Sequence, residues 1–203
     1  MESPGVVDDY DPTWPMVFED LRARLAPALV GIATSIEHVG STAVPGLAAK
    51  PIIDMDVVVP DAALVPAAIA RLETLGYVHQ GDLGISGREA FRPPIGGPYH
   101  HLYVVVEGTR PHRDHVDLRD YLRRHPDEAA RYATRKQEVA HLLQTNREAY
   151  LTAKAGLVEE MLVQARGTVE ETFHGREHRD RVVRIGDTVR RPTGPGRPRG
   201  LRE

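Results

Sequence analysis

Apolar residues recur at helical spacing through Val17, Phe18, Leu21, Leu25, Ala28 and Leu29, which predicts an amphipathic helix with one buried stripe. Pro12-Thr13-Trp14-Pro15 supplies its entry, with Thr13 as cap and proline tolerated in the first turn. The pattern then shortens. Ser35 to Val39 reads as a strand, Gly40-Ser41-Thr42-Ala43 as a turn into a brief helix, and Ile52 to Val59 as a long strand. Asp61 caps a second amphipathic helix with Leu64, Ala68, Leu72 and Leu75 inward and Gly76 as its stop. Gln80 to Pro98 is glycine- and proline-rich loop, punctuated by a short strand at Arg88 to Arg92, and His101 to Val106 is the third clear strand. From Arg113 the pattern turns helical. It predicts a short helix around Leu118 to Arg124 that stops before His125-Pro126, a longer one from Asp127 to about Leu143, and a last one over roughly Arg147 to Arg166. Strands first and helices last predict an α+β fold, a small mixed sheet with helices packed on it and a C-terminal helical layer.

This places one domain in residues 1–166. From Gly167 onward nine arginines stand against six acids, and the end, RRPTGPGRPRGLRE, is too rich in Pro, Gly and Arg to fold alone. Residues 167–203 are therefore expected to be a basic tail, disordered from about 190, with VVRIGDTVR as an isolated strand.

Composition changes the picture by exclusion. The absence of cysteine removes disulfides, thiolate metal sites and cysteine nucleophiles together. A formal charge of -3 gives no global pull toward nucleic acid or membrane, so attraction to phosphate must be local. With aromatics at 5%, no stacked platform for nucleic acid is expected. The start MESPGVVDDYDP has neither a basic nor an apolar leader, and no run approaches the roughly 18 apolar residues of a membrane span. A soluble, cytoplasmic protein is the expectation.

The chemistry concentrates in HVGSTAVPGLAAKPIIDMDVVV, residues 38–59. Asp54 and Asp56 project from one face of the same strand, their Cα atoms roughly 6.6 Å apart. Carboxylates so placed converge on one divalent ion or a close pair, and a set without thiolates favours Mg²⁺ or Mn²⁺ over zinc. Two acids in an otherwise apolar strand are costly unless something pairs with them. Gly40 lets backbone approach a phosphate closely, and the amides after Ser41 favour an anion. Lys50, between that turn and the acids, has a β/γ-phosphate as its natural partner.

Twelve residues separate Ser41 from Asp54, a spacing that resembles the Gly-Ser, Asp-x-Asp signature of nucleotidyltransferases with the DNA polymerase β-like fold. The wider segment, with YDPTWPMVFEDL before it and LRDYLRRHPDEAARYATRKQEVA and YLTAKAGLV after, resembles the GrpB-like family, assigned to that superfamily. The resemblance covers about residues 6–166. It implies a Mg²⁺-dependent transfer of a nucleotidyl group from a nucleoside triphosphate to a small-molecule or protein acceptor. Gly40 and Ser41 would hold the phosphates and Asp54 and Asp56 the metal. The alternative is a nucleotide- or metabolite-binding module that has lost turnover.

The superfamily would bring a third carboxylate from a later strand, and here the sequence departs from the pattern. HLYVVV offers His101 and Tyr103 instead. His101 as general base and His101 as a satisfied sheet residue both stay open. Asp117, Asp120 and Glu89 are further candidates for the third ligand. Arg88 and Arg92 share a face and form a small basic patch, which Arg119, Arg123, Lys136 and Lys154 extend toward phosphate or merely toward solvent. Tyr132 with Lys136 and Tyr150 with Lys154 are i,i+4 pairs, read in isolation as surface packing. His112 and His115 are three apart, but a solvated loop is preferred there to a zinc site. The segment VVRIGDTVRRPTGP faintly resembles the first strand of aminoglycoside-phosphotransferase-like kinases, so the tail reads as a remnant of a fused domain or as a basic segment for acidic partners.

Overall fold

The computed structural model describes residues 7–172 and the short segments 183–185 and 188–190. The expected disorder beyond residue 190 falls outside the described residues. The elements run α1 (Trp14–Leu25), β1 (Ser35–Val39), β2 (Ile53–Val59), α2 (Val65–Thr74), β3 (Val78–His79), β4 (Arg88–Arg92), β5 (His100–Val106), α3 (Arg110–Arg124), α4 (Pro126–Glu138), α5 (Leu142–Thr145), α6 (Arg147–Thr172), β6 (Val183–Ile185) and β7 (Thr188–Arg190). The chain divides into two compact units, Met1–Leu162 and Val163–Glu203. In the second, the expected single strand is two strands paired antiparallel, Val183 opposite Arg190.

The first unit is built on a mixed sheet of order β1-β2-β5-β4-β3. The β-branched runs IDMDVVV and HHLYVVV lie parallel at its centre, which requires a crossover, and α2 is its helix. One face carries the core: Ile53, Met55, Val57 and Val59 from β2, with Leu102 and Val104 from β5, pack on Trp14, Phe18, Leu21 and Leu25 of α1 and Ala68 and Leu72 of α2. Period two then sends Asp54, Asp56 and Val58 to the opposite face. There α3 packs across β1 and β5, so the acids lie under a helix rather than at an open strand end.

Several boundaries differ from expectation for local reasons. Thr13 sits at the cap position of α1, but its side chain makes no capping bond, and Asp11 instead accepts from the Thr13 amide at 2.8 Å. Asp61 caps a 3-10 turn, Ala62–Leu64, that leads into α2. Leu75, expected inward, is 37% exposed, because Gly76 reverses the chain at φ +85° and Tyr77 takes the buried place. Helix α3 begins eight residues before Leu118, with Pro111 in its first turn, and α4 stops at Glu138 rather than near Leu143.

Candidate functional site

Cross-strand register assembles the site in rows on the face opposite the core. Val39, Asp54 and His101 form one row, and Glu37, Asp56, Tyr103 and Ala90 the next. His101 Nδ1 donates to Asp54 Oδ1 at 2.7 Å, and His115 Nδ1, from α3, donates to Asp56 Oδ2 at 2.8 Å. A carboxylate only accepts, so each imidazole carries its proton on Nδ1. Burial works against a charged His115, yet the hydrogen bond and charge of Asp56 outweigh it and hold its pKa above the usual value. Asp56 is fully buried, and its Oδ1 is left with no hydrogen-bond partner. Such an oxygen in a low-dielectric interior calls for a cation or a donor.

Gly40 closes the site against Asp54. Its φ of +70° with ψ of -168° lies in a region reserved for glycine, and a Cβ built on it would meet Asp54 Oδ2 at 2.4 Å. The turn that follows is braced on three sides. His38 and Thr42 are bonded at 3.0 Å, and the Thr42 hydroxyl reaches Ile52 O. Arg123 donates to Ala43 O at 2.9 Å, and Arg119 to His38 O at 3.1 Å. Ser41 is in hydrogen-bond contact with Tyr132. His38 lies stacked on Phe18, and burial brings its pKa down to about 4, so it braces the turn as a neutral ring.

The lysines gather beside this turn. Lys136 is 3% exposed, donates to Ala48 O, and lies 4.7 Å from the Tyr132 ring centre. Lys154 and Lys50 approach the Tyr150 ring at 4.9 and 5.4 Å. Burial, reinforced by Lys154 and opposed by Asp54, brings the Lys136 ammonium down to about 7. The two Tyr-Lys pairs, read from sequence as surface packing, are therefore largely buried, with Tyr132 against Ser41.

Other expected residues sit elsewhere. Arg119 ties α3 to β1 through Glu37 at 2.8 Å and also holds Asp120 at 2.7 Å, which leaves that acid engaged in an ion pair. Asp117 rides on α3 rather than on a strand. Glu89 pairs with His79 at 2.6 Å. Arg88 lies over the Tyr103 ring at 4.3 Å, whereas Arg92 is exposed at the end of β4. His112 accepts from Gly108 N. Among the described residues no group of three or more His, Asp or Glu gathers as metal ligands. The donor chemistry present, two carboxylates of which one keeps an unused buried oxygen, is of the hard oxygen kind that suits a divalent ion such as Mg²⁺.

His115 was missed as a partner of Asp56 because a solvated loop was preferred around His112 and His115 and the helix was expected around Leu118 to Arg124. Proline in a first helical turn was the available signal, since it extends α3 back to Arg110 and places His115 and Arg119 four apart on the face toward the sheet.

Fold and site together define an α+β domain whose ionisable side chains converge beneath one helix, on the far side of a mixed sheet from its core. Residues 4–164 match the family model described as GrpB protein, and the chain belongs to that family. It is 37% identical to the UPF0157 protein PA4798 of Pseudomonas aeruginosa over 205 residues, covering 91% of this chain and 81% of that protein. It is 35% identical to the UPF0157 protein BH1888 of Halalkalibacterium halodurans, covering 79% and 82%. Among solved structures, the conserved protein GrpB from Enterococcus faecalis superposes with a TM-score of 0.72 at 32% identity, over 81% of this chain and 99% of that one. A looser overlap, TM-score 0.49 at 14% identity over 68% of this chain and 45% of that one, is with the Cid1 poly(U) polymerase, bound there to MgGTP. No helix among the described residues is long and apolar enough to cross a membrane.

Proposed function

We propose that this chain binds a nucleoside triphosphate with a divalent ion and transfers its nucleotidyl group to a small-molecule or protein acceptor. The observation that carries the reading is the buried Asp56, its Oδ1 unpartnered, two residues from an Asp54 that presses against a glycine-only turn. Asp54 and Asp56 would hold Mg²⁺ or Mn²⁺, which would supply the charge that neutralises the phosphates. Gly40, lacking a side chain, lets the Asp54 carboxylate lie against the turn, so that an ion on Asp54 would sit beside the backbone that would take the phosphates. Lys136 and Lys154 crowd two ammonium groups together, an arrangement that an anion relieves. In the transfer, an acceptor oxygen would bond to the α-phosphorus as the bond to the bridging oxygen breaks and pyrophosphate leaves. The acceptor proton would pass to His101 Nε2, the nitrogen turned away from Asp54. A cytoplasmic location accords with a triphosphate donor.

A second reading rests on that same histidine. The β5 residue in register with Asp54 is His101 and not an acid, as in a module that binds a nucleotide without turning it over. A thermal-shift screen of nucleoside triphosphates with and without Mg²⁺, repeated on Asp54→Asn/Asp56→Asn, tests binding for both. A shift in the wild type that the double variant loses supports the site, and an identical response in the two defeats it. Pyrophosphate release with candidate acceptors then separates transfer from silent binding.

A further inference from the structure

Across Asp54 from the phosphate turn, the strand β5 presents a row of rings. Tyr99 meets His101 edge-on at 5.6 Å between centroids, His101 lies 6.3 Å from Tyr103, and Tyr103 lies 5.9 Å from His115. Strand alternation puts His101 and Tyr103 on one side of β5, and Tyr99, just before the strand, continues the row through its contact with His101. Tyr99 is 36% exposed at the outer end of this row, where its ring meets that of His101.

The backbone on both sides of Tyr99 is pinned. His100 is buried on the opposite face, where its Nδ1 donates to Pro98 O at 2.8 Å and its Nε2 accepts from the Tyr77 hydroxyl at 2.8 Å. A surface ring held in place by a buried histidine loses little freedom when something stacks on it. His101 is likewise fixed: its Nδ1 bond to Asp54 leaves Nε2 as a hydrogen-bond acceptor aimed away from the carboxylate.

We propose that Tyr99 and His101 form the acceptor subsite, taking a hydroxyl compound carried on a flat ring, of the nucleoside class. The placement rests on the transfer reading above. Displacement at phosphorus is in line, so the nucleophile enters opposite the leaving pyrophosphate. The lysines and Ser41 hold the pyrophosphate on the β1 side of Asp54, which puts the incoming hydroxyl on the β5 side, in front of His101. Tyr99 gives the ring that bears the hydroxyl a face to stack on, with Tyr103 and its overlying Arg88 as the floor behind.

The test is saturation-transfer NMR with uridine as the ring probe and glycerol as a hydroxyl probe without a ring. Both are measured on the full chain with Mg²⁺ and α,β-methylene-ATP, whose Pα–Pβ bridge resists displacement. Uridine is expected to bind to the wild type and to Tyr99→Phe, with affinity on the order of tenfold weaker in Tyr99→Ala, while glycerol gives no signal. Equal uridine binding by Tyr99→Ala, or a glycerol signal matching that of uridine, overturns the subsite. So does the absence of uridine signal on a protein that the ATP analogue stabilises, which leaves the donor site standing. Uridine binding that depends on Tyr99, in a protein the analogue fails to stabilise, keeps the ring platform and removes the transfer reading instead. Tyr99 is exposed enough for both variants to fold, and a matching thermal midpoint verifies it.

Discussion

Gly40→Ala isolates the closest approach in the site. Two costs add. The backbone at φ +70° and ψ -168° is strained for alanine by about 1–3 kcal/mol. The new methyl would also stand 2.4 Å from Asp54 Oδ2, 2.9 Å from Asp54 Cγ and 3.0 Å from Asp54 Cβ, so the strand side chain or the turn must move. Overpacking of this kind costs typically 1–3 kcal/mol, which brings the total to roughly 2–6 kcal/mol. Urea denaturation of wild type and variant measures it. A double-mutant cycle makes the reasoning specific. In an Asp54→Ala background the two shortest contacts vanish, so Gly40→Ala should cost about 1–2 kcal/mol less there. A cost below about 1 kcal/mol, or the same cost in both backgrounds within roughly 0.5 kcal/mol, would refute the claim that this glycine exists to admit the Asp54 carboxylate.

His115→Ala leaves the buried Asp56 without its one donor, so a loss of about 2–4 kcal/mol is expected in denaturation, with a larger thermal shift on adding Mg²⁺ than the wild type shows. A loss under about 1 kcal/mol, or an unchanged Mg²⁺ response, contradicts it. Lys136 titrates near 7 in the fold against its ordinary 10.5, so between those values the unfolded chain binds the extra proton and stability rises with pH. Lys136→Met should flatten a slope of up to about 1.4 kcal/mol per pH unit across that window, and parallel curves for the two proteins would refute the assignment. Tyr77→Phe strips the donor from buried His100 Nε2 and should cost about 1–3 kcal/mol in urea, against a near-neutral result if that pair were wet.

The strand pattern was legible because period two is local. Gly40, Ser41, Asp54 and Asp56 were singled out from their spacing and its likeness to a family signature, and the fold brings Gly40 against Asp54. What spacing does not carry is which helix face turns inward. Lys136 and Tyr132 look like solvent-side residues in a charged sequence, yet α4 buries both, with Tyr132 against Ser41 of the Gly40 turn. Arg119 shows the converse. It read as a phosphate contact or mere solubility, and it anchors α3 to Glu37 of the edge strand. His101 was found for its place on β5, but the 2.7 Å bond to Asp54 depends on strands forty-seven residues apart pairing in parallel, which no local signal encodes.

On the proposed reading, a bound cation and anion would relieve the unpartnered Asp56 oxygen and the crowded Lys136 and Lys154, and so would stabilise the chain. Ligand occupancy and survival are then linked: a cell short of ligand would clear this chain faster, through local opening around β2 and α4, than one that is replete. Limited proteolysis should display the coupling, with cleavage in the region of α4 slowed by Mg²⁺ and nucleotide in the wild type and indifferent to both in Asp54→Asn/Asp56→Asn. On that reading, the groups that would recognise the ligand would also set how long the protein waits for it.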